Sequence, residues 1–180
     1  NAVVGEAHAW GRKVAAHAHG DKAAKMAVAA GVDSIEHGSF LEDDTLRMMK
    51  AKGVYLVPTI SAVAHVEEKI ATFPPVIAEK GRAAAAHVRQ TFRHAVQIGV
   101  PIALGTDAGV GAHGTNAREF RYMVDNGMAP AQALLAGAAV AARLLGTIDR
   151  VGTLEAGKLA DVVAVPGNPV ADLTGTARPV

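Results

Sequence analysis

Residues 30 to 40 read Ala-Gly-Val-Asp-Ser-Ile-Glu-His-Gly-Ser-Phe, and residues 99 to 109 read Gly-Val-Pro-Ile-Ala-Leu-Gly-Thr-Asp-Ala-Gly. Both stretches follow one grammar. A glycine that can close a helix in the left-handed conformation leads into a short apolar run, and the run ends on residues that carry chemistry. The same grammar recurs along the chain. It predicts strands at Lys13 to His17 after Gly11, Val32 to His37 after Gly31, Val54 to Thr59 after Gly53, and Val100 to Thr106 after Gly99. Ala-, Lys- and Met-rich stretches of helical composition lie between them, at Lys22 to Ala30, Asp43 to Lys52 and Pro75 to Ile98. Pro75 suits the first turn of its helix, where its missing donor costs nothing. Ile60 to Pro74 is read as a loop.

Alternation of this kind argues for an α/β fold with a parallel sheet and helices packed outside it. Two more helices are predicted, Thr115 to Asn126 and Pro130 to Leu144, before the pattern changes at Gly152. Ala160 to Val165 then reads as one further strand, ended by Pro166-Gly167. A complete (β/α)8 barrel takes about 250 residues, so four strand units amount to half of one. The expectation is a partial barrel over residues 1–150 and the start of a different module over 151–180. The chain opens on Asn1-Ala2-Val3-Val4 without an initiator Met, and the expectation is that it is a fragment. Half a barrel leaves strand edges unpaired, which points to poor solubility or to a homo-oligomer.

Composition narrows the function classes. Half of the 180 residues are hydrophobic and 19% are charged, enough for a substantial core. The formal net charge is +1 and no block of like charges occurs, so nothing calls for nucleic acid or an anionic membrane. The longest apolar run, Ala129 to Leu145, is interrupted by Gln132 and Arg143 and is too short to span a bilayer. With no cysteine, metal chemistry here has to use histidine and carboxylate.

Polar residues that interrupt the strands fall at their C-terminal ends: His17 and His19, Glu36 and His37, Thr59, and Thr106 with Asp107. In parallel α/β folds that edge is where sites are built. A single strand histidine is more often a hydrogen-bonded core imidazole than a ligand, but three such strand ends in register are harder to dismiss. Two neutral imidazoles and a carboxylate suit zinc, manganese or iron. His17 and His19 share a face if the strand continues past Ala18, and only His17 is aimed if it does not. His17 is the favoured ligand, with His19 as a group that supports the ligands from behind or meets the substrate. Asp107 reads as a ligand and proton acceptor, against a bland alternative as a loop cap. His113, in the glycine-rich loop 109–114, is a substrate contact or a structural residue. His8, His87 and His94 read as solvated helix residues, and His65 as a loop residue, exposed or part of a lid.

Taken together, VAAHAHG (14 to 20), AGVDSIEHGSF (30 to 40), GVYLVPT (53 to 59), GVPIALGTDAG (99 to 109) and GTLEAGKLADVVAVPGNPVADL (152 to 173) resemble the amidohydrolase superfamily. Within it they are similar to the imidazolonepropionase-like group that includes Xaa-Pro dipeptidases. The resemblance implies barrel strands five to eight, with His17 on the fifth and His37 on the sixth binding a divalent metal, zinc first. It implies that Asp107 on the eighth strand binds metal and acts as general acid and base. Residues from Gly152 would return to a small β-sandwich. The family's first-strand His-x-His pair and fourth-strand carboxylated lysine find no match here, so one or two ions are expected in a full-length protein and inactivity in this chain alone. Relatives that open or deaminate nitrogen heterocycles carry a Glu where this chain has Gly20. That favours a small-molecule amide or dipeptide bearing a carboxylate, held by His113 or by an Arg such as Arg82. Three competitors are an imidazolonepropionase-like cyclic amide hydrolase or deaminase, a non-catalytic α/β binding module, and a metal-independent barrel enzyme using Lys13 or Glu36.

Overall fold

The computed structural model describes residues 1–177. Helix α1 (Ala2–Ala9) leads to strand β1 (Ala15–Gly20), followed by α2 (Asp21–Ala30), β2 (Ser34–Phe40), α3 (Asp43–Lys52) and β3 (Tyr55–Val57). The strands are parallel in the order β1-β2-β3, with Ala15 opposite Ser34 and Ser34 opposite Tyr55. The α/β architecture with a parallel sheet is therefore as the sequence indicates. Gly31, Gly53 and Gly99 close α2, α3 and α5 (Pro75–Ile98) with φ of 93°, 68° and 82°, a region that glycine enters without a Cβ penalty.

The fourth predicted strand is reduced to a single bridge, Leu56 to Ile102, with Leu56 N–H donating to the Pro101 carbonyl and Ala103 N–H to the Leu56 carbonyl. Pro101 has no N–H to extend the ladder. The segment still runs beside β3 in the expected place. Ala160 to Val165 forms no strand. Val162 and Val163 are 62% and 74% exposed, and a strand without a ladder partner among the described residues has nothing to hold it.

The loop expected over Ile60 to Pro74 is largely helical: α4 runs Ile60–Glu68 and a 3₁₀ turn follows at Ile70–Thr72. Beyond α5 come α6 (Arg118–Asp125), α7 (Pro130–Leu135) and α8 (Ala141–Leu144), the last two joined by a π turn over Ala136–Val140. No helix among the described residues is long and apolar enough to cross a membrane. The core lies between sheet and helices. Ile35 and Leu56 from the strands meet Val28, Leu46, Met49 and Phe92 from α2, α3 and α5, all at or near complete burial. Each such side chain contributes roughly 1.5–3 kcal/mol by leaving water. This buried layer holds the strand ends in fixed register, and the site is built on those ends.

Candidate active site

β1 continues through Gly20, so its alternation applies to the whole His17-Ala18-His19 run. Ala18 is 5% exposed and faces the helices, while His17 and His19 stand together on the open face. His37 arrives by a less direct route. Its register partner is Ala18, so plain alternation would send it toward the helices. The pairing then jumps from Ala18–His37 to Gly20–Phe40, a bulge that places three steps of β2 against two of β1. Bulges re-aim side chains. His37 takes φ of 71° and Gly38 takes 57°. At Gly38 a Cβ would lie 2.8 Å from a Leu56 methyl and 2.9 Å from a Leu41 methyl, so any side chain there would displace both leucines and take a strained φ. The His37 ring is thereby swung to the open face.

The three rings form a tight cluster. Centroids lie 4.8 Å apart for His17 and His19, 4.6 Å for His17 and His37, and 4.8 Å for His19 and His37. One ligand nitrogen from each falls within 4.8 Å of the other two. Ser39 Oγ lies 2.7 Å from His19 Nδ1 and Thr59 Oγ1 lies 2.7 Å from His37 Nδ1, which fixes both rings and leaves Nε2 of each free. That is the outer-shell arrangement that metal-ligating histidines ordinarily have. Burial foremost, then the neighbouring His19 and His17, lowers the pKa of His37, while Asp107 opposes the shift. Burial and then His17 do the same to His19, again against Asp107. Both imidazoles are thus biased to the neutral form that can donate a lone pair.

Asp107 lines the same cavity as the three histidines, from the turn that follows the Leu56–Ile102 bridge. Among the described residues the non-glycine positions with positive φ are His37 (71°), Thr59 (49°) and Asp107 (51°), and all three line this cavity. For a β-branched residue such as Thr59 that conformation is costly. Strain of about 1–3 kcal/mol at each position persists only where surrounding structure enforces it, and it concentrates at functional sites.

Other candidates fall elsewhere. His113 shares the 109–114 loop with Val110, but Val110 lines the cavity and His113 does not. Arg82 is likewise outside the lining and exposed. Glu36 borders a separate cavity with Lys13, and Lys13 is paired with Asp33 at 2.9 Å, away from the imidazoles. Neither is placed to act as a base at the cluster. His65 is 7% exposed and its Nε2 accepts from the Ala112 N–H at 3.0 Å, bracing the loop beyond Asp107 from inside α4. His8 and His94 pair with Asp33 and Asp43, and His87 lies 5.3 Å from the Phe40 ring.

Sequence reasoning passed over two positioning groups. Ser39 lies within the 30–40 stretch, yet nothing in its spacing announced a bond to His19. Glu119, completely buried on α6, accepts from Ile60 N–H at 2.9 Å, Ser61 N–H at 2.7 Å and Ser61 Oγ at 2.5 Å. It caps α4 in place of Thr59, the residue at the cap position, whose hydroxyl is engaged with His37. A charged residue within the apolar positions of a short helix was the only available signal.

Comparison with known proteins places this geometry in context. The amidohydrolase family profile matches residues 1–180. Ochratoxinase from Aspergillus niger is 34% identical over 178 residues, which cover 95% of this chain and 36% of that protein. Among solved structures, an Xaa-Pro dipeptidase with methionine bound in its active site superposes with a TM-score of 0.93 at 45% identity, covering 99% of this chain and 45% of that one. A prolidase complexed with N-methylphosphonate-L-proline gives 0.88 at 29% identity, with coverage of 98% and 43%. The chain thus spans less than half the length of each of these relatives.

Proposed function

The chain belongs to the amidohydrolase family, and from that premise we propose that it forms strands five to eight of a (β/α)8 barrel that hydrolyses an amide bond. Residues 1–150 make the partial barrel, and the segment from 151 begins the return to a small β-sandwich, a reading whose last positions, 178–180, lie outside the described residues. His17, His37 and Asp107 hold a divalent cation, zinc first among the ions that suit nitrogen and oxygen donors. The observation that carries the reading is the convergence of three strand imidazoles and the Asp107 carboxylate on one cavity, which among the described residues also holds every non-glycine position with positive φ. The donor set fits the ion at His37, which Thr59 orients through Nδ1 and burial biases to the neutral form, with the His17 ring 4.6 Å away and Asp107 on the same cavity.

When bound, the cation supplies Lewis-acid activation of water and polarises the scissile carbonyl. Asp107 takes the proton from the attacking water and returns it to the leaving amine nitrogen, so one carboxylate serves both steps. His19, held by Ser39, hydrogen-bonds the carbonyl oxygen as charge develops there. His113 contacts the end of the substrate that projects beyond the cavity.

A small amide or dipeptide of the Xaa-Pro or N-acyl amino acid class is the substrate reading. Two observations favour it over a nitrogen heterocycle: Gly20 cannot protonate a ring nitrogen, and the dipeptidase and ochratoxinase relatives are similar along nearly the whole chain. The test is a panel of Xaa-Pro dipeptides, N-acyl amino acids, imidazolonepropionate and aminated heterocycles, assayed with full-length protein before and after chelation. The highest kcat/KM is expected on the dipeptides or N-acyl amino acids, lost on chelation and restored by zinc. A heterocycle as the best substrate, or turnover indifferent to chelation, contradicts the proposal.

A further inference from the structure

The cavity that holds the imidazoles extends well past them. It has a volume of about 300 Å³ and continues as a slot between α4 and α5, with Phe40 from the end of β2 on its wall. Ala62, Val63 and Val66 line it from α4, and Ala85 and Val88 from α5. These spacings put each set on a single helical face, so two apolar stripes oppose one another. The polar groups are gathered at the strand-end side: the three histidines, Ser39, Thr59 and Asp107. No Lys, Arg or Glu lines the cavity among the described residues. Phe40, Val66 and Val110 are 42%, 38% and 44% exposed, large apolar side chains left wet on the wall of one slot.

We propose that this slot is a side-chain subsite, which takes an uncharged hydrocarbon group of leucyl, methionyl or phenylalanyl size borne next to the scissile amide. The inference rests on the hydrolase reading above and adds the substrate class to it. A charged side chain would be desolvated there without a partner, which is costly. A hydrocarbon chain would cover Phe40, Val66 and Val110 and gain their burial together with its own. Because the slot is continuous with the imidazoles, a group seated in it holds its amide at the strand ends.

Binding and turnover separate the two claims. With full-length protein stripped of metal by a chelator, which stops turnover on the hydrolase reading, calorimetric titration of N-acetyl-glycine, -alanine, -leucine, -phenylalanine, -glutamate and -lysine measures the subsite without chemistry. Affinity is expected to rise about fourfold per buried methylene, giving roughly 10- to 60-fold from alanine to leucine, with the glutamate and lysine derivatives weakest. Val66→Glu should flatten that gradient, and Val66→Leu should keep the preference for apolar groups over charged ones. A flat profile, unmeasurable binding across the series, or a preference for the charged derivatives overturns the subsite. A steep apolar gradient without hydrolysis of the matching leucyl or phenylalanyl amides supports the subsite and overturns the hydrolase reading instead.

Discussion

Replacing Glu119 by alanine should be among the most destabilising single changes in the chain. The carboxylate is fully buried and receives three hydrogen bonds, from Ile60 N–H, Ser61 N–H and the Ser61 hydroxyl. The two N–H groups open α4, so no backbone carbonyl within the helix can serve them. Thr59 cannot take over the cap while its hydroxyl is bonded to His37. Each buried donor left unpaired costs about 1–3 kcal/mol. Burial itself works against the charge, pushing the Glu119 pKa up against the pull of Ser61 and Ile60, so relief of desolvation returns part of that loss. The net expectation is about 3 kcal/mol for Glu119→Ala. Glu119→Gln keeps the shape but turns an NH₂ toward a donor, and should cost about 2 kcal/mol. Urea unfolding of each variant at neutral pH measures both. A loss below about 0.5 kcal/mol for the alanine variant, the level of an ordinary surface change, would refute the capping argument.

Thr59→Val removes the hydroxyl that orients His37 and should weaken zinc affinity about 10- to 100-fold in full-length protein, with Thr59→Ser restoring it; competition against a chelator reads this, and unchanged affinity excludes the role. Gly111→Ala would put a Cβ 1.6 Å from His65 Cδ2 and 2.0 Å from its Nε2, so the His65 to Ala112 bond must break and stability should fall by about 1–3 kcal/mol. Much of that loss should vanish in a His65→Ala background, and a strictly additive double-mutant cycle would contradict the contact. Asp33 is opposed by burial, but hydrogen bonds from His8, Lys13 and the Val14 N–H together with the Lys13 charge hold its carboxyl below the ordinary 3.8. The folded state then binds fewer protons than the unfolded one, so the stabilisation is complete above that value and lost as pH falls through the folded one. Asp33→Asn should cost about 1 kcal/mol at pH 7 and progressively less as pH falls below the ordinary 3.8; a deficit that does not shrink with acidification would show that the charge is not involved.

What was legible in the sequence is what depends on neighbours along the chain. The glycines at 31, 53 and 99 mark helix ends because left-handed φ is a local property, and the parallel sheet follows from the repeat that they punctuate. His17 and His19 were legible as a pair because a strand's side-chain alternation is local too, while His37 and Asp107 were legible only by their position where an apolar run stops. α4 was missed since its cap comes from Glu119, 59 residues away from Ile60, while Thr59 at the cap position gives its hydroxyl to His37. The aim of His37 was equally hidden. Alternation points it to the helices, and only a bulge set by Leu56 and Leu41 packing around Gly38 turns it back. The fourth strand and the run at 160–165 have strand composition, but composition does not supply a ladder partner.

The central claim is that His17, His37 and Asp107 hold a catalytic cation, with His19 left to the substrate. Anomalous X-ray diffraction at the zinc edge, on crystals of full-length protein grown with zinc, tests it most directly. The account predicts a peak about 2.0–2.2 Å from a nitrogen of His17, a nitrogen of His37 and an oxygen of Asp107. A cavity without a peak, or a peak ligated by His19 with Asp107 turned away, would contradict it.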